Sequence, residues 1–366
     1  MRWITTLSTL GIAAAMLAAA RTSPKSPLIV HEWGTITTRH APDGTPQGRL
    51  NHISGRDTLP SFVYRWDPPA TQRDANRSLV KTALVAGRPD VTMRLETPVM
   101  YFYAPRGAVS VPPFDVDVHF RGGVLNEFYP KGEASLDVDV ERPGAQPWNG
   151  AMLDNSVVGR LRWRGVTLRD NVPLTPTTSH VWLAPRAVHA AGVAVSGESE
   201  RYLFYRGVAH LDALVQTKLS STDVRLSAPK QLDWLREPSA TIPNLWLLDV
   251  RRDGSAAFRQ QGPITLTRAG ASAELARLGL FNESDYAASK LAELRASMKQ
   301  ALVSAGLTQD EAEAMLSTWS ESYFREPGLR IFYMVPEAWV RYYLPVEISV
   351  PHEMTRVIVG RIELAG

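Results

Sequence analysis

Short segments in which apolar and polar residues alternate are the feature that most constrains the fold of this chain. Residues 116–121 and 136–141 both follow this pattern. Successive side chains of a strand point to opposite faces, so a period of two predicts one face in a core and the other in water. That arrangement is typical of antiparallel sheets, because strands inside parallel sheets are apolar on both faces.

The alternating segments recur along most of the chain and are separated by Pro, Gly, Asp and Asn, which favour turns. No Gly-rich turn joins a strand to a helix, so a nucleotide-binding α/β fold is not expected. The sequence therefore predicts a mainly β protein with an antiparallel β-sandwich-type body. The predicted strands are 28–38, 92–103, 114–121, 134–142, 157–168, 201–209, 244–252, 329–335 and 354–364.

One region, residues 272–325, has the apolar spacing of helices. Gly306 ends the first helix, and Thr308 with Glu311 forms a capping box that begins a second one. Two helices joined by so short a link form a hairpin. We expect this hairpin to be an insertion before the C-terminal strands of 329–364.

The first twenty residues have the order of a secretory signal peptide. Arg2 is followed by an apolar run, and Ala18-Ala19-Ala20 provides a cleavage site. We therefore expect residues 1–20 to be removed and the β-rich unit to cover residues 26–366, in the periplasm or outside the cell. The Pro- and Gly-containing segment 143–150 is a candidate internal boundary.

Composition excludes several classes of function. The chain contains no cysteine, which rules out disulfides, thiolate metal sites and a cysteine nucleophile. The formal net charge is +3 and no run of basic residues occurs, so we expect no nucleic-acid partner. The apolar run of the leader is too short for a confident span, and we expect no stable membrane span after cleavage.

Two carboxylates interrupt apolar strand rows. Glu32 shares a face with Val30 and Ile36, and Glu96 shares one with Met100. A buried carboxylate has to pair with a cation or take up a proton, because an unpaired buried charge is very costly. Each residue is therefore either one half of a buried ion pair or a candidate general acid with a raised pKa.

Other charged residues occupy comparable places. Glu127 follows a turn, and Arg206 and Arg361 each break an apolar row. One reading pairs these residues with the carboxylates for packing alone. The other gathers them at one open end of the body, where the Glu32, Glu96 and Arg206 segments converge. Glu127, Arg206 and Arg361 are then candidate ligand-binding residues.

His31 and Trp33 lie on the opposite face of the first strand from Glu32. His31-Glu32 resembles half of a zinc-protease motif, but Thr35 stands where the second histidine would be. The sequence thus assigns no metal or cofactor, although a metal site built from distant strands stays open. We take His31 and Trp33 as candidate ligand-binding residues.

Four segments resemble a family of exported bacterial proteins with an HEWGT motif near the mature N-terminus. They are residues 30–35, 96–99, 202–207 and 356–363. The likeness extends over nearly the whole mature chain, which implies one continuous unit. The resemblance implies no activity, cofactor or catalytic residue.

Three functions are compatible with these residues. The leading one is an exported soluble protein that binds a ligand, either a small molecule or an envelope component. The alternative is an extracytoplasmic hydrolase of glycan or another envelope substrate, with Glu32 or Glu96 as general acid and His31 as base or metal ligand. The third reading is purely structural, with every charged strand residue serving as a buried pair.

Overall fold

The computed structural model describes residues 27–50, 59–66, 79–80, 90–104, 111–139, 153, 156–230, 232–270 and 273–364. The predicted signal peptide and the candidate boundary at 143–150 lie outside the described residues. Within the described ranges the protein is mainly β, as the alternating segments predicted.

All nine predicted strands are present, with ends that differ from the prediction by at most four residues. The strands that the sequence did not predict are short, and all but β6 have six residues or fewer. The strands are β1 (Leu28–His40), β2 (Tyr64–Trp66), β3 (Leu79–Val80), β4 (Met93–Tyr103), β5 (Phe114–Arg121), β6 (Gly123–Tyr129), β7 (Glu133–Val138), β8 (Val157–Arg169), β9 (Gly192–Val195), β10 (Glu198–Glu200), β11 (Leu203–Ala209), β12 (Gln216–Leu219), β13 (Asp223–Ser227), β14 (Ser239–Ile242), β15 (Leu245–Val250), β16 (Ala256–Gln261), β17 (Ile264–Thr267), β18 (Glu274–Gly279), β19 (Gly328–Met334), β20 (Val346–Ile348) and β21 (His352–Leu364).

Sixteen of the described strands belong to one mixed sheet. Its main path runs β10-β9-β8-β6-β11-β4-β1-β21-β19-β15-β16, and the other five strands branch from it. Two small antiparallel sheets, β12-β13-β18 and β14-β17, complete the β structure.

The centre of the large sheet differs from the expectation of an antiparallel body. β1 pairs with β21 in parallel along its whole length and with β4 antiparallel on its other side. Only Ile29 and Arg39 of β1 are exposed. The prediction of one solvated face is therefore wrong for this strand, because its polar residues bond to other protein groups rather than to water.

Two hydrophobic cores lie on the two faces of β1 and its neighbours. One, the strand-side core, includes Val30 and Ile36 and continues into β5 and β8. The other, the helix-side core, includes Trp33 and residues of the helices that cover this face. Five tryptophans are completely buried in these cores: Trp33, Trp163, Trp182, Trp246 and Trp339.

The helices are α1 (His180–Arg186), α2 (Lys290–Ser304), α3 (Gln309–Thr318), α4 (Ser320–Phe324) and α5 (Glu337–Tyr343). α2 and α3 pack against each other, and Thr308 caps α3 with the predicted capping box to Glu311. The helical region is shorter than the predicted 272–325. Residues 274–279 form β18 instead, because they pair with β13 in one of the small sheets.

The last residue of β1, His40, makes the stability of the fold depend on pH. Its side chain is buried, and Nδ1 lies 2.8 Å from Thr217 Oγ1 of β12. Burial lowers the pKa of His40 from 6.5 to about 4. The folded state therefore holds the neutral ring at pH values where the unfolded chain takes up a proton, and stability is lost as pH falls from 6.5 towards 4.

We predict that His40→Gln removes most of this pH dependence, which amounts to about 3 kcal/mol for the pKa difference above. The measurement is urea unfolding of both proteins at about pH 7.5 and about pH 4.5. The wild type should lose more stability than the variant on acidification. Equal losses would show that His40 does not titrate in this way.

Candidate functional site

Glu32 lies inside the strand-side core and is fully buried. Arg356, directly across on β21, donates from Nε to Glu32 Oε2 at 2.5 Å. The Tyr205 hydroxyl donates to the other oxygen. Glu32 therefore has both a cation and a neutral donor, which is the arrangement expected of a buried ion pair.

The partners of Glu32 respond to its charge. Burial alone would lower the pKa of Arg356, but the nearby Glu32 carboxylate raises it above its ordinary value. Burial, reinforced by Glu32, holds the pKa of Tyr205 well above its ordinary value. Both groups keep their protons, so Glu32 is surrounded by donors. Both oxygens of Glu32 are therefore occupied by protein donors.

Glu96 faces the other side of the sheet. Thr37, on the face of β1 opposite to Glu32, donates to Glu96 Oε2 at 3.1 Å, and Arg94 Nε lies 3.2 Å from Oε1. Arg361 is paired in register with Thr37 and is buried on β21. Glu96 and Arg361 thus occupy the same region of the helix side.

Arg361 is neutralised mainly by other carboxylates. Its Nε lies 2.5 Å from Glu363 Oε1 and its Nη2 lies 3.3 Å from Glu326 Oε2. Burial by itself would lower the pKa of Arg361, and the charges of Glu363 and Glu96 outweigh it and raise the pKa. This is a buried charge network that leaves Arg361 little freedom to bind a ligand.

Arg206 and Glu127 are opposite each other on β11 and β6, 3.8 Å apart. Arg206 also donates from Nε and Nη2 to the hydroxyl of Thr97, at 3.0 and 2.8 Å. Thr97 has a positive φ of 45° at a bulge in β4, where its backbone is strained. Arg206 therefore holds this bulge in place.

Gly34 of β1 makes room for the same bulge. A Cβ at Gly34 would lie 3.0 Å from the backbone of Pro98. The glycine, the proline and the strained Thr97 together let β4 bend beside β1.

The shared site expected for Glu32, Glu96 and Arg206 is not formed. Side chains alternate along β1 without interruption, so Glu32 and Thr37, the donor to Glu96, lie on opposite faces. Arg206 bonds to Thr97, the neighbour of Glu96 in sequence, whereas Glu32 bonds to Arg356 and Tyr205. Glu32, Glu96 and Arg206 are buried, as their apolar neighbours in sequence indicated, but they do not form one shared site.

Among the predicted residues, His31 has the geometry closest to a catalytic group. Its Nδ1 lies 2.9 Å from Glu311 Oε2, and Tyr103 donates to Glu311 Oε1 at 2.6 Å. The backbone N–H of Thr308 donates to Glu311 Oε2 at 2.7 Å. The carboxylate is fully buried, whereas the His31 side chain is 13% exposed.

The hydrogen bond to Glu311 orients the ring of His31. Burial raises the pKa of Glu311, but its bonds to His31 and Tyr103 outweigh burial and lower it. An ionised Glu311 orients the imidazole through Nδ1 and leaves Nε2 without a protein partner among the described residues. Trp33, the other candidate on this face, is fully buried in the helix-side core and contacts no open surface.

A cleft that the sequence analysis did not anticipate lies at the ends of β5 and β11, beside α5. Its volume is about 130 Å³, below the range of about 300–1,000 Å³ typical of small-molecule sites, so it suits the end group of a ligand rather than a whole one. Aromatic rings of Trp339, Tyr342 and Tyr343 line it together with charged and imidazole groups. We call it the acidic cleft, and its polar lining residues are Arg121, Asp139, His210, Asp212 and Asp233.

Hydrogen-bond acceptors dominate the open part of the acidic cleft. Arg121 donates to Asp139 at 2.8 Å, so these two neutralise each other. Asp212 and Asp233 are exposed and have no ion-pair partner among the described residues. His210 Nδ1 lies 2.8 Å from the carbonyl oxygen of Asp90, so in the neutral ring Nε2 is also an acceptor.

Two guanidinium groups lie over the Tyr342 ring. Those of Arg121 and Arg236 are each 5.3 Å from its centre. The cleft has a net negative charge even when Arg236 is counted, because the three aspartates outnumber the two arginines. The sequence signal for this cleft is the cluster of aromatic residues in 339–343. These residues also pack α5 against the core, so the cluster does not by itself indicate a binding site.

A scan against protein-family models and a search of curated proteins give no match to this chain. In the part of the chain that the structure describes, none of the helices has the length and apolar character needed to cross a membrane. No group of three or more His, Asp or Glu side chains within the described ranges is placed to hold a metal ion.

We predict that Glu32→Gln lowers the free energy of unfolding by about 3–5 kcal/mol, because it leaves Arg356 buried without its counterion. Glu32→Gln combined with Arg356→Met should recover much of that loss. Chemical denaturation of the single and double variants measures both effects.

The exposed pair Glu337–Arg341, 3.6 Å apart, provides the control. Glu337→Gln should change stability by less than about 1 kcal/mol. A Glu32→Gln protein as stable as the wild type would contradict the ion-pair assignment and return Glu32 to the candidate catalytic residues.

Proposed function

We propose that this chain is an exported protein that binds the cationic group of a ligand in the acidic cleft. The ligand is a small molecule or a component of the cell envelope. The observation that carries the proposal is the combination of unpaired acceptors, Asp212, Asp233 and His210 Nε2, with an aromatic wall. A ligand that supplies N–H donors and a positive charge complements both.

An ammonium group fits this lining better than an anion or an uncharged apolar group. Carboxylates form charge-assisted hydrogen bonds with ammonium donors, and aromatic faces attract cations. Tyr342 already lies beneath two guanidinium groups, and the ring of half-buried Tyr343 beside it lies 4.7 Å from that of Trp339, measured between ring centres. An anion would meet the repulsive charges of Asp212 and Asp233.

The scaffold that we propose is the sandwich-type body with its helical hairpin, which the two cores on either side of the large sheet support. Export to the periplasm or the exterior rests on the leader of residues 1–20 and on the resemblance to exported proteins. The N-terminal residue of the protein isolated from its native host tests this part, and a start at Met1 would contradict it.

We predict that Asp212→Asn with Asp233→Asn weakens binding of a cationic probe by at least about tenfold, since each charge-assisted hydrogen bond contributes about 1.5–3 kcal/mol. Calorimetric titration with ethanolamine, choline and spermidine measures the effect. Acetate and inorganic phosphate should not bind the cleft. Affinity for the cations should fall as salt is added.

The control pair is Asp170→Asn with Glu353→Gln, which removes the same charge from exposed positions outside the cleft. These substitutions should leave the affinity within about twofold, because distant exposed charges are screened. Equal weakening in both double variants would show attraction to the protein's net charge only and would contradict a cleft site.

A hydrolase is the second candidate, and the His31–Glu311 geometry favours it. An imidazole whose Nδ1 is held by a buried carboxylate keeps Nε2 for proton transfer, as in known acid–base sites. In this function the substrate is a glycan or another envelope compound, and His31 acts as general base.

If the chain is a hydrolase, His31→Gln should lower turnover by about a hundredfold or more, the usual contribution of a general base. Release of product from nitrophenyl esters and glycosides, and from envelope polymers, measures turnover. Glu311→Gln should also slow the reaction by disturbing the imidazole tautomer. Turnover that His31→Gln leaves unchanged would remove His31 from the reaction.

A further inference from the structure

A second depression, larger than the acidic cleft, lies between two irregular segments on another part of the surface. Residues 59–62 form one wall and residues 176–181 the other, and the volume is about 700 Å³. That volume falls within the range of about 300–1,000 Å³ typical of small-molecule sites. We call it the hydroxyl groove.

The lining of the hydroxyl groove carries no formal charge among the described residues. Its titratable residue is His180, and its other polar side chains are Ser61, Thr177, Thr178 and Ser179. An ionised ligand would give up hydration there without meeting a counterion, which is unfavourable. The lining therefore selects a neutral ligand.

Several groups of the groove are open to a ligand. Ser61 and Thr178 are exposed, and their hydroxyls have no partner among the described residues. His180 Nε2 lies 2.7 Å from the carbonyl oxygen of Ser317, so Nε2 carries the hydrogen and Nδ1 is left as an acceptor. Hydroxyl groups both donate and accept, so they pair well with the hydroxyls of a ligand.

The wall formed by residues 59–62 carries an aromatic ring that is held firmly. The half-buried ring of Phe62 lies 4.8 Å from Tyr129 and 5.3 Å from Trp182, measured between ring centres. Trp182 in turn donates from Nε1 to Glu200 at 2.8 Å, and Glu200 is bound by Arg186 at 2.6 Å. Phe62 thus adds a fixed apolar surface to the wall that carries Ser61.

We propose that the hydroxyl groove binds a neutral saccharide. A sugar ring has an apolar C–H face, which packs on an aromatic ring, and a rim of hydroxyls, which pair with Ser61, Thr178 and His180 Nδ1. The site is separate from the acidic cleft and shares no lining residue with it. The saccharide site therefore does not depend on cation binding.

An extended peptide fits the groove less well than a saccharide. Peptides that bind along a protein backbone add a strand to an exposed sheet edge. The walls of the groove belong to no strand, since residues 59–62 and 171–179 are irregular apart from turns and bends. The side-chain hydroxyls, rather than a ladder of backbone groups, are what the groove offers.

The experiment is a calorimetric titration of the full chain with neutral hexasaccharides of glucose and of N-acetylglucosamine, in both α- and β-linked forms where they exist. Polygalacturonate serves as an anionic saccharide and a neutral Gly-Ser peptide as a non-sugar. At least one neutral hexasaccharide should bind, and its affinity should be insensitive to salt because no charge takes part. The anionic polymer and the peptide should not bind.

Ser61→Ala combined with Thr178→Val should weaken saccharide binding by about tenfold, because each lost hydrogen bond contributes about 0.5–1.5 kcal/mol. Both residues are exposed, so this variant should fold, and its unfolding curve verifies that. The matched control is Thr241→Val with Thr265→Val, two exposed and paired threonines on β14 and β17. It should bind like the wild type.

Three results would overturn the saccharide site. They are no binding of any neutral hexasaccharide, equal affinities of the groove variant and the wild type, and binding of the Gly-Ser peptide in place of sugars. The cleft variant Asp212→Asn with Asp233→Asn distinguishes the two sites. It should keep its saccharide affinity, and loss of that affinity would place the sugar in the cleft instead.

Discussion

The central strands can be buried on both faces only because the charges that they carry are neutralised within the protein. Glu32 pairs with Arg356 on the neighbouring strand, and Arg361 pairs with Glu363 on its own strand and with Glu326 in the segment before β19. Removing any single partner leaves an ion in a medium of low dielectric, which is far more costly than losing an exposed pair. The charge pairs thus permit the large sheet to carry a core on each side.

Features that depend on residues close in sequence were predictable, whereas pairings between distant strands were not. The nine longest alternating segments are strands, and Thr308 with Glu311 marks the start of α3, because these signals depend on neighbours in sequence. The parallel pairing of β1 with β21 was not predictable from alternation. The alternation of apolar and polar residues is the same whether a polar side chain such as Glu32 faces water or a guanidinium group on the next strand.

The candidate site was predicted less well than the fold. The sequence identified His31 but not Glu311, since the two residues are 280 positions apart and Glu311 already had a role in the capping box. The acidic cleft joins residues from β5, the segment after β11 and α5, none of which is close to another in sequence. Such a site follows from the topology of the chain, which periodicity does not reveal.

The pairing of β1 with β21 also has a consequence for how the protein is made. Glu32 and Arg356 are 324 positions apart, yet they face each other at the middle of the sheet. During synthesis β1 therefore emerges long before its parallel neighbour, and the edge of β1 that pairs with β21 stays open until the end of the chain is made. Contacts of such long range close slowly and leave strand edges open to aggregation. A chaperone that shields β1 until β21 has left the ribosome would protect the nascent chain at its most vulnerable point.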